Sequence, residues 1–204
     1  MWRHITSGAI ESSRRRWPSV TALADELGMG VSTVHRALSI PVEIGAVAIR
    51  PAGGLRILDP GRILLLWAGR RDLRRDLVER FVVEGSAPAV ERRIGNPAAI
   101  LGGFGAVVAR TGGNTIADYQ TVLVYGDPDL IPPQPDQDQD PERTTEVLVL
   151  EPDPLLPRYG RVTPLVQAWV DLFNLPNWQA DRFVYHLLPQ LLADVLPEPR
   201  LLSA

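Results

Sequence analysis

The stretch from Ser19 to Leu38 constrains this chain more than any other part of it. Ser19 carries the side-chain acceptor that an N-cap needs, and Val20, Leu23, Ala24 and Leu27 recur behind it at helical spacing. Gly28 follows that face, where helices commonly end in a left-handed turn. Ser32 is placed to cap a second helix whose inward stripe is Val34, Ala37 and Leu38. Small Ala24 permits a close crossing, Gly28 reverses the chain, and Val34 wedges the second helix against the first. The combination predicts a helix-turn-helix, the unit that lays its second helix in the major groove of DNA. An ordinary helical hairpin is the competing reading, because short motifs recur without function.

The flanks favour the first reading. Trp2 to Ser13 predicts a helix anchored by Ile5 and Ile10, followed by Arg14, Arg15 and Arg16 and then by Trp17-Pro18. Three arginines at the head of the motif are suited to gripping phosphates, a contact that adds salt-dependent affinity without sequence information. After Leu38, two β-rich runs, Val42 to Ile49 and Leu55 to Leu58, flank Arg50-Pro51-Ala52-Gly53-Gly54 and predict a hairpin. A hairpin directly behind a recognition helix is the wing of a winged helix, and Arg50 and Arg56 flank its tip. On the recognition helix, Ser32, Thr33, His35 and Arg36 are the candidates to meet bases and phosphates.

Charge is distributed to match. The 204 residues carry a net charge of −3, yet up to Arg80 thirteen arginines stand against eight acids, so the acidic excess lies beyond. A basic amino-terminal part suits a phosphate-facing surface, and the acidic remainder does not. All 21 basic residues are arginines, which excludes a catalytic lysine amine, and the absence of cysteine excludes disulfides and thiolate metal sites. No run is apolar enough for a bilayer span and the first residues do not read as a signal peptide, so a cytoplasmic location without membrane association is expected.

Asp59-Pro60 opens a stretch from Gly61 to about Val82 in which Ile63, Leu64, Leu66, Trp67, Leu73, Leu77 and Phe81 recur at spacings of three and four. It reads as one long bridging helix with a charged outer face. Beyond Glu84 come predicted helices over 88–94, 104–110, 163–172 (Thr163 as cap, Pro164 first) and 179–196, the last bent or interrupted at Pro189. Between them lie predicted strands over 121–125 and 145–150 and a polar loop over 127–142. The expected fold class is α+β: a winged helix-turn-helix over 1–60, a bridging helix over 61–84, and a small α/β domain over 85–204.

The chemistry-bearing patterns in the second half are weak. Gly102-Gly103-Phe104-Gly105 and Gly112-Gly113 match neither the P-loop nor the dinucleotide fingerprint and read as turns and a helix end. Asp136, Asp138 and Asp140 alternate like a calcium loop but lack its glycine and closing glutamate. His4, His35 and His186 have no ligand-spaced partners, and His186 reads as a core or partner-facing residue. A carboxylate–lysine nuclease is short of its lysine, and no serine-hydrolase elbow is present. The expectation is a protein that is not an enzyme, with no catalytic residues, no metal and no cofactor.

Leu58-Asp59-Pro60 followed by Ile63 to Ala68, the apolar run and glycines at Ala99 to Gly105, Tyr119 to Tyr125, and above all Val162 to Leu175 carry a further likeness. In these residues the chain resembles AbiEi-family antitoxins of type IV toxin–antitoxin systems, and among them the mycobacterial MenA-type group. The resemblance implies that the winged helix binds inverted repeats in the promoter of its own operon and represses it. It implies that the carboxy-terminal domain neutralises a cognate nucleotidyltransferase toxin, which in mycobacterial members modifies tRNA. The proline- and aspartate-rich stretch at 132–142 departs from the family pattern. Half-sites one helical turn apart would seat a homodimer on the DNA. The alternative function is a ligand-responsive winged-helix regulator with no toxin partner.

Overall fold

The computed structural model describes residues 1–50, 54–94, 96, 98–130 and 144–193. It is a mixed α+β chain with two small sheets. Contacts divide it into two units, one of Met1–Arg70 with the chain from Leu187 onward, the other of Arg71–His186.

In the first unit the elements run α1 (Trp2–Glu11), β1 (Arg16–Trp17), α2 (Val20–Leu27), α3 (Val31–Glu43), β2 (Val47–Arg50), β3 (Gly54–Ile57) and α4 (Pro60–Ala68). Ser19 caps α2 by accepting from the Ala22 amide at 3.0 Å, and Gly28 ends that helix at φ 64°. Val20, Leu23, Ala24 and Leu27 are all buried and meet Val34 and Leu38 of α3 in one core with Ile5, Trp17, Leu55 and Ile63. Two local expectations are corrected. Helix α1 stops at Glu11, short of Ser13. Helix α3 begins at Val31 with Gly30 as N-cap, so Ser32 lies inside its first turn and caps nothing.

Helix α3 also runs further than expected, through Pro41 to Glu43, and so takes Val42 out of the hairpin. A proline inside a helix leaves the carbonyl four residues before it without its amide. Here that carbonyl is Ala37 O, and the Trp2 indole donates to it at 2.7 Å. Helix α1 thereby completes the hydrogen bonding of α3.

Strands β2 and β3 form the expected antiparallel hairpin, and β1 adds a third strand in the order β1-β3-β2. Gly54 has φ 68°, and a Cβ there would lie 2.3 Å from the Trp17 carbonyl oxygen, so only glycine lets β1 approach. Leu55 and Ile57 face the core, while Arg56 points outward.

The stretch read as one bridging helix is not one. Asp59 caps α4, accepting from the Arg62 amide at 2.9 Å with Pro60 at the first position, and the helix ends at Gly69. Asp72 then caps a single turn, α5 (Leu73–Asp76), and Leu77–Glu84 forms a strand, β4. The spacing of four that joined Leu73, Leu77 and Phe81 is also a multiple of two, so it fits a strand as well as a helix. Val78, Val82 and Val83 then favour the strand.

The second unit continues with α6 (Ala87–Arg93), β5 (Ile100–Leu101), α7 (Gly103–Thr111), β6 (Thr121–Tyr125), β7 (Thr144–Leu150), α8 (Leu165–Phe173) and the start of α9 (Trp178–Leu192). The sheet order is β4-β7-β6-β5, with β6 and β7 parallel and both outer pairs antiparallel. Helix α7 packs on β6 and on α8. Leu123 and Tyr125 share a sheet face with Leu148 and Leu150. Pro164 is itself the N-cap of α8, so Thr163 does not cap it. Helix α9 passes through Pro189 without a break and is described as far as Leu192. Asp136, Asp138, Asp140 and the stretch at 132–142 lie outside the described residues.

Candidate nucleic-acid interface

The amino-terminal site begins with a knot of charge that the sequence did not announce. Glu26 on α2 receives both terminal nitrogens of Arg14, each at 2.6 Å, the Trp17 indole at 3.0 Å and His4 Nε2 at 2.8 Å. A carboxylate only accepts, so Nε2 carries the imidazole proton. The Arg14 guanidinium also lies 4.7 Å from the centre of the Trp17 ring. The bond from Arg14, with those from His4 and Trp17, holds the Glu26 carboxyl down at about 2 against the cost of its burial. Burial, against the pull of Glu26, keeps His4 below its ordinary range. Arg14, placed by the sequence among the phosphate-gripping arginines, is here bound to Glu26. Arg15 is half-buried, and its carbonyl accepts from the Ile57 amide at 2.8 Å.

The other candidates are differently placed. Arg16 of β1 stands directly opposite Arg56 of β3, which in turn stands opposite Ala48 of β2. Like charges facing each other across strands repel. Together with Arg50, Gly54 and Leu58 these residues line a groove of about 270 Å³ on the outward face of the sheet, and among the described residues no acid lines it. On α3, Ser32, Thr33, His35 and Arg36 are all exposed, with Ser32 and Arg36 on the side opposite Val34 and Leu38. Among the described residues, Arg16, Arg36, Arg50 and Arg56 have no ion pair or hydrogen-bonded side-chain partner. Elsewhere in this unit Arg62 is tied to Asp59 and to the Ile44 carbonyl, and Arg70 lies over the Trp2 ring.

The second unit holds a buried polar cluster that no sequence motif marked. Arg71 donates to the Tyr125 hydroxyl at 3.0 Å, pairs with Asp76, and lies 3.5 Å from Asp171. Tyr125 donates to Asp171 at 2.8 Å, and Gln167 donates to Tyr125 at 2.9 Å and to Asp171 at 3.0 Å. Asp171 is fully buried. Burial opposes the Arg71 charge, but Tyr125, Asp171 and Asp76 outweigh it and hold the guanidinium above its ordinary range. Burial and the Asp171 charge likewise push the Tyr125 hydroxyl well up. Arg71 and Asp171 stand 100 positions apart in the chain, and only the topology brings the cluster together.

Glu91 on α6 is a second buried acid. It accepts from Tyr119 at 3.0 Å, and burial raises its carboxyl to about 7. His186, read as a core or partner-facing residue, is exposed rather than in the core. Trp178, Arg182 and Tyr185 line one side of α9 at helical spacing, with Arg182 over the Trp178 ring and both aromatics well exposed. Among the described residues, no group of three or more histidines and acids is placed to hold a metal ion, and no helix is long and apolar enough to cross a membrane.

No protein-family model, no curated protein and no solved structure matches this chain.

Proposed function

We propose that the chain is a DNA-binding autorepressor and antitoxin, with its first unit acting as a winged helix-turn-helix on promoter DNA. The observation that supports this reading most is the set of four arginines without acidic partners among the described residues. Arg36 is on the exposed side of α3, and Arg16, Arg50 and Arg56 share the outward face of the sheet that follows. In this reading α3 lies in the major groove with Ser32, Thr33, His35 and Arg36 toward bases and phosphates, and the sheet arginines hold the backbone. The protein pairs on inverted repeats, acts without a cofactor and is not an enzyme. Its second unit neutralises a nucleotidyltransferase toxin in the cytoplasm. The exposed Trp178, Arg182 and Tyr185 have the residue types that dominate protein–protein contacts.

A mobility-shift titration with the promoter duplex of the chain's own operon tests the DNA half. Arg36→Ala is expected to weaken that duplex more than a scrambled one, while Arg56→Ala weakens both equally. Unchanged binding in both variants contradicts the groove assignment. The toxin half is tested by co-expression with the adjacent gene product: rescue of growth supports it, and undiminished toxicity refutes it. The alternative, a ligand-responsive regulator with no toxin partner, draws on one observation, a pocket in the second unit.

A further inference from the structure

Beside the buried cluster lies a pocket of about 490 Å³, open to solvent, and the described residues that line it all belong to the second unit. Its size suits a small organic molecule. Its apolar lining includes Leu148 and Leu150 of β7 and Leu175 after α8, all buried, and Leu77 at the start of β4, partly exposed, while Asn174 and Asn177 add polar side chains. Three arginines line it, and they are not equivalent. Arg71 is held by Asp76 and Tyr125, and Arg80 pairs with Glu146. Arg74 is exposed, and among the described residues its guanidinium has no partner. Asp72, the remaining acid of the lining, lies 3.6 Å from Arg75.

We propose that this pocket binds a small apolar monocarboxylate, its hydrocarbon against Leu77, Leu148, Leu150 and Leu175 and its carboxylate on Arg74. One unpartnered guanidinium matches one negative charge, and its planar fork matches a carboxylate in geometry. A phosphate dianion would need a second free cation, which the described lining does not offer. An uncharged hydrocarbon would leave Arg74 without a role. The proposal does not rest on the DNA reading, and its test involves no DNA.

The test is isothermal titration of the full chain with octanoate, with octan-1-ol and inorganic phosphate as parallel probes. Saturable octanoate binding is expected, with octanol and phosphate each at least about tenfold weaker. Arg74→Ala is expected to weaken octanoate about tenfold or more while leaving the melting temperature of the free protein unchanged, since its side chain holds nothing. Leu77→Trp, which fills the pocket from a partly exposed position, is expected to abolish binding. Three results would overturn the proposal: no octanoate binding, octanol binding as tightly as octanoate, or phosphate displacing octanoate. So would octanoate affinity unaffected by either substitution in a variant that melts like the parent.

Discussion

The outward face of the first unit and the buried cluster of the second use the same cation in opposite ways. In the first, Arg16, Arg36, Arg50 and Arg56 are exposed, have no acidic partner among the described residues, and two of them face each other across a strand pair. In the second, Arg71 is largely buried between Asp76, Asp171 and Tyr125, and Arg80 and Arg75 are paired with Glu146 and Asp72. A chain without lysine must use arginine both for structure and for surface charge. Where arginine meets acids it organises the fold. Where repulsion between arginines is left uncompensated, an external anion is the partner that would relieve it.

The contrast can be broken from its structural side first. Arg71→Ala would leave Asp171 buried without its cation, and a loss of about 3–5 kcal/mol in urea unfolding is expected. A loss no larger than that of a surface substitution would mean the cluster is not structural. Next is Glu91. Its folded carboxyl titrates at about 7, above its value of 4.5 in the unfolded chain, so its burial costs nothing below pH 4.5 and most above pH 7. Glu91→Gln should therefore stabilise the protein by about 2–3 kcal/mol at pH 8 and by nothing at pH 4. A pH-independent difference would contradict the buried placement.

Glu26 titrates in the other sense. Its folded value of about 2 lies below the unfolded one, so its contribution is complete above pH 4.5 and fades as pH falls toward 2. Glu26→Gln should cost about 1–2 kcal/mol at pH 7, discounted for partial exposure, and the cost should vanish near pH 2. The smallest stability effect is expected for Arg56→Ala, which removes no partner and one of two facing like charges, so its melting temperature should equal or slightly exceed that of the parent. A clear destabilisation there would dissolve the distinction between the units.

What the sequence made legible was local. Ser19, Gly28, Asp59 and Pro60 act within one turn of themselves, so the helix ends they set could be read directly, as could the hairpin around Gly54. The chain from Leu73 to Glu84 could not, because a spacing of four satisfies both periods and the strand is decided by its pairing with Thr144–Leu150. Strand β1 is two residues long and exists only through its pairing with β3. The arginine run at 14–16 looked uniform. Glu26, a dozen positions on, claims Arg14 and leaves Arg16 on the open face of the sheet. The Arg71 cluster was hidden for the same reason, since its members share no motif and meet only through the fold.

The salt dependence of binding to the promoter duplex, measured by fluorescence anisotropy, reports how many phosphates the arginines meet. If the unpartnered arginines meet phosphates, Arg16→Ala and Arg56→Ala should each reduce the slope of log affinity against log salt by about 0.9 while the protein stays folded. Slopes identical to that of the parent in both variants would contradict the account.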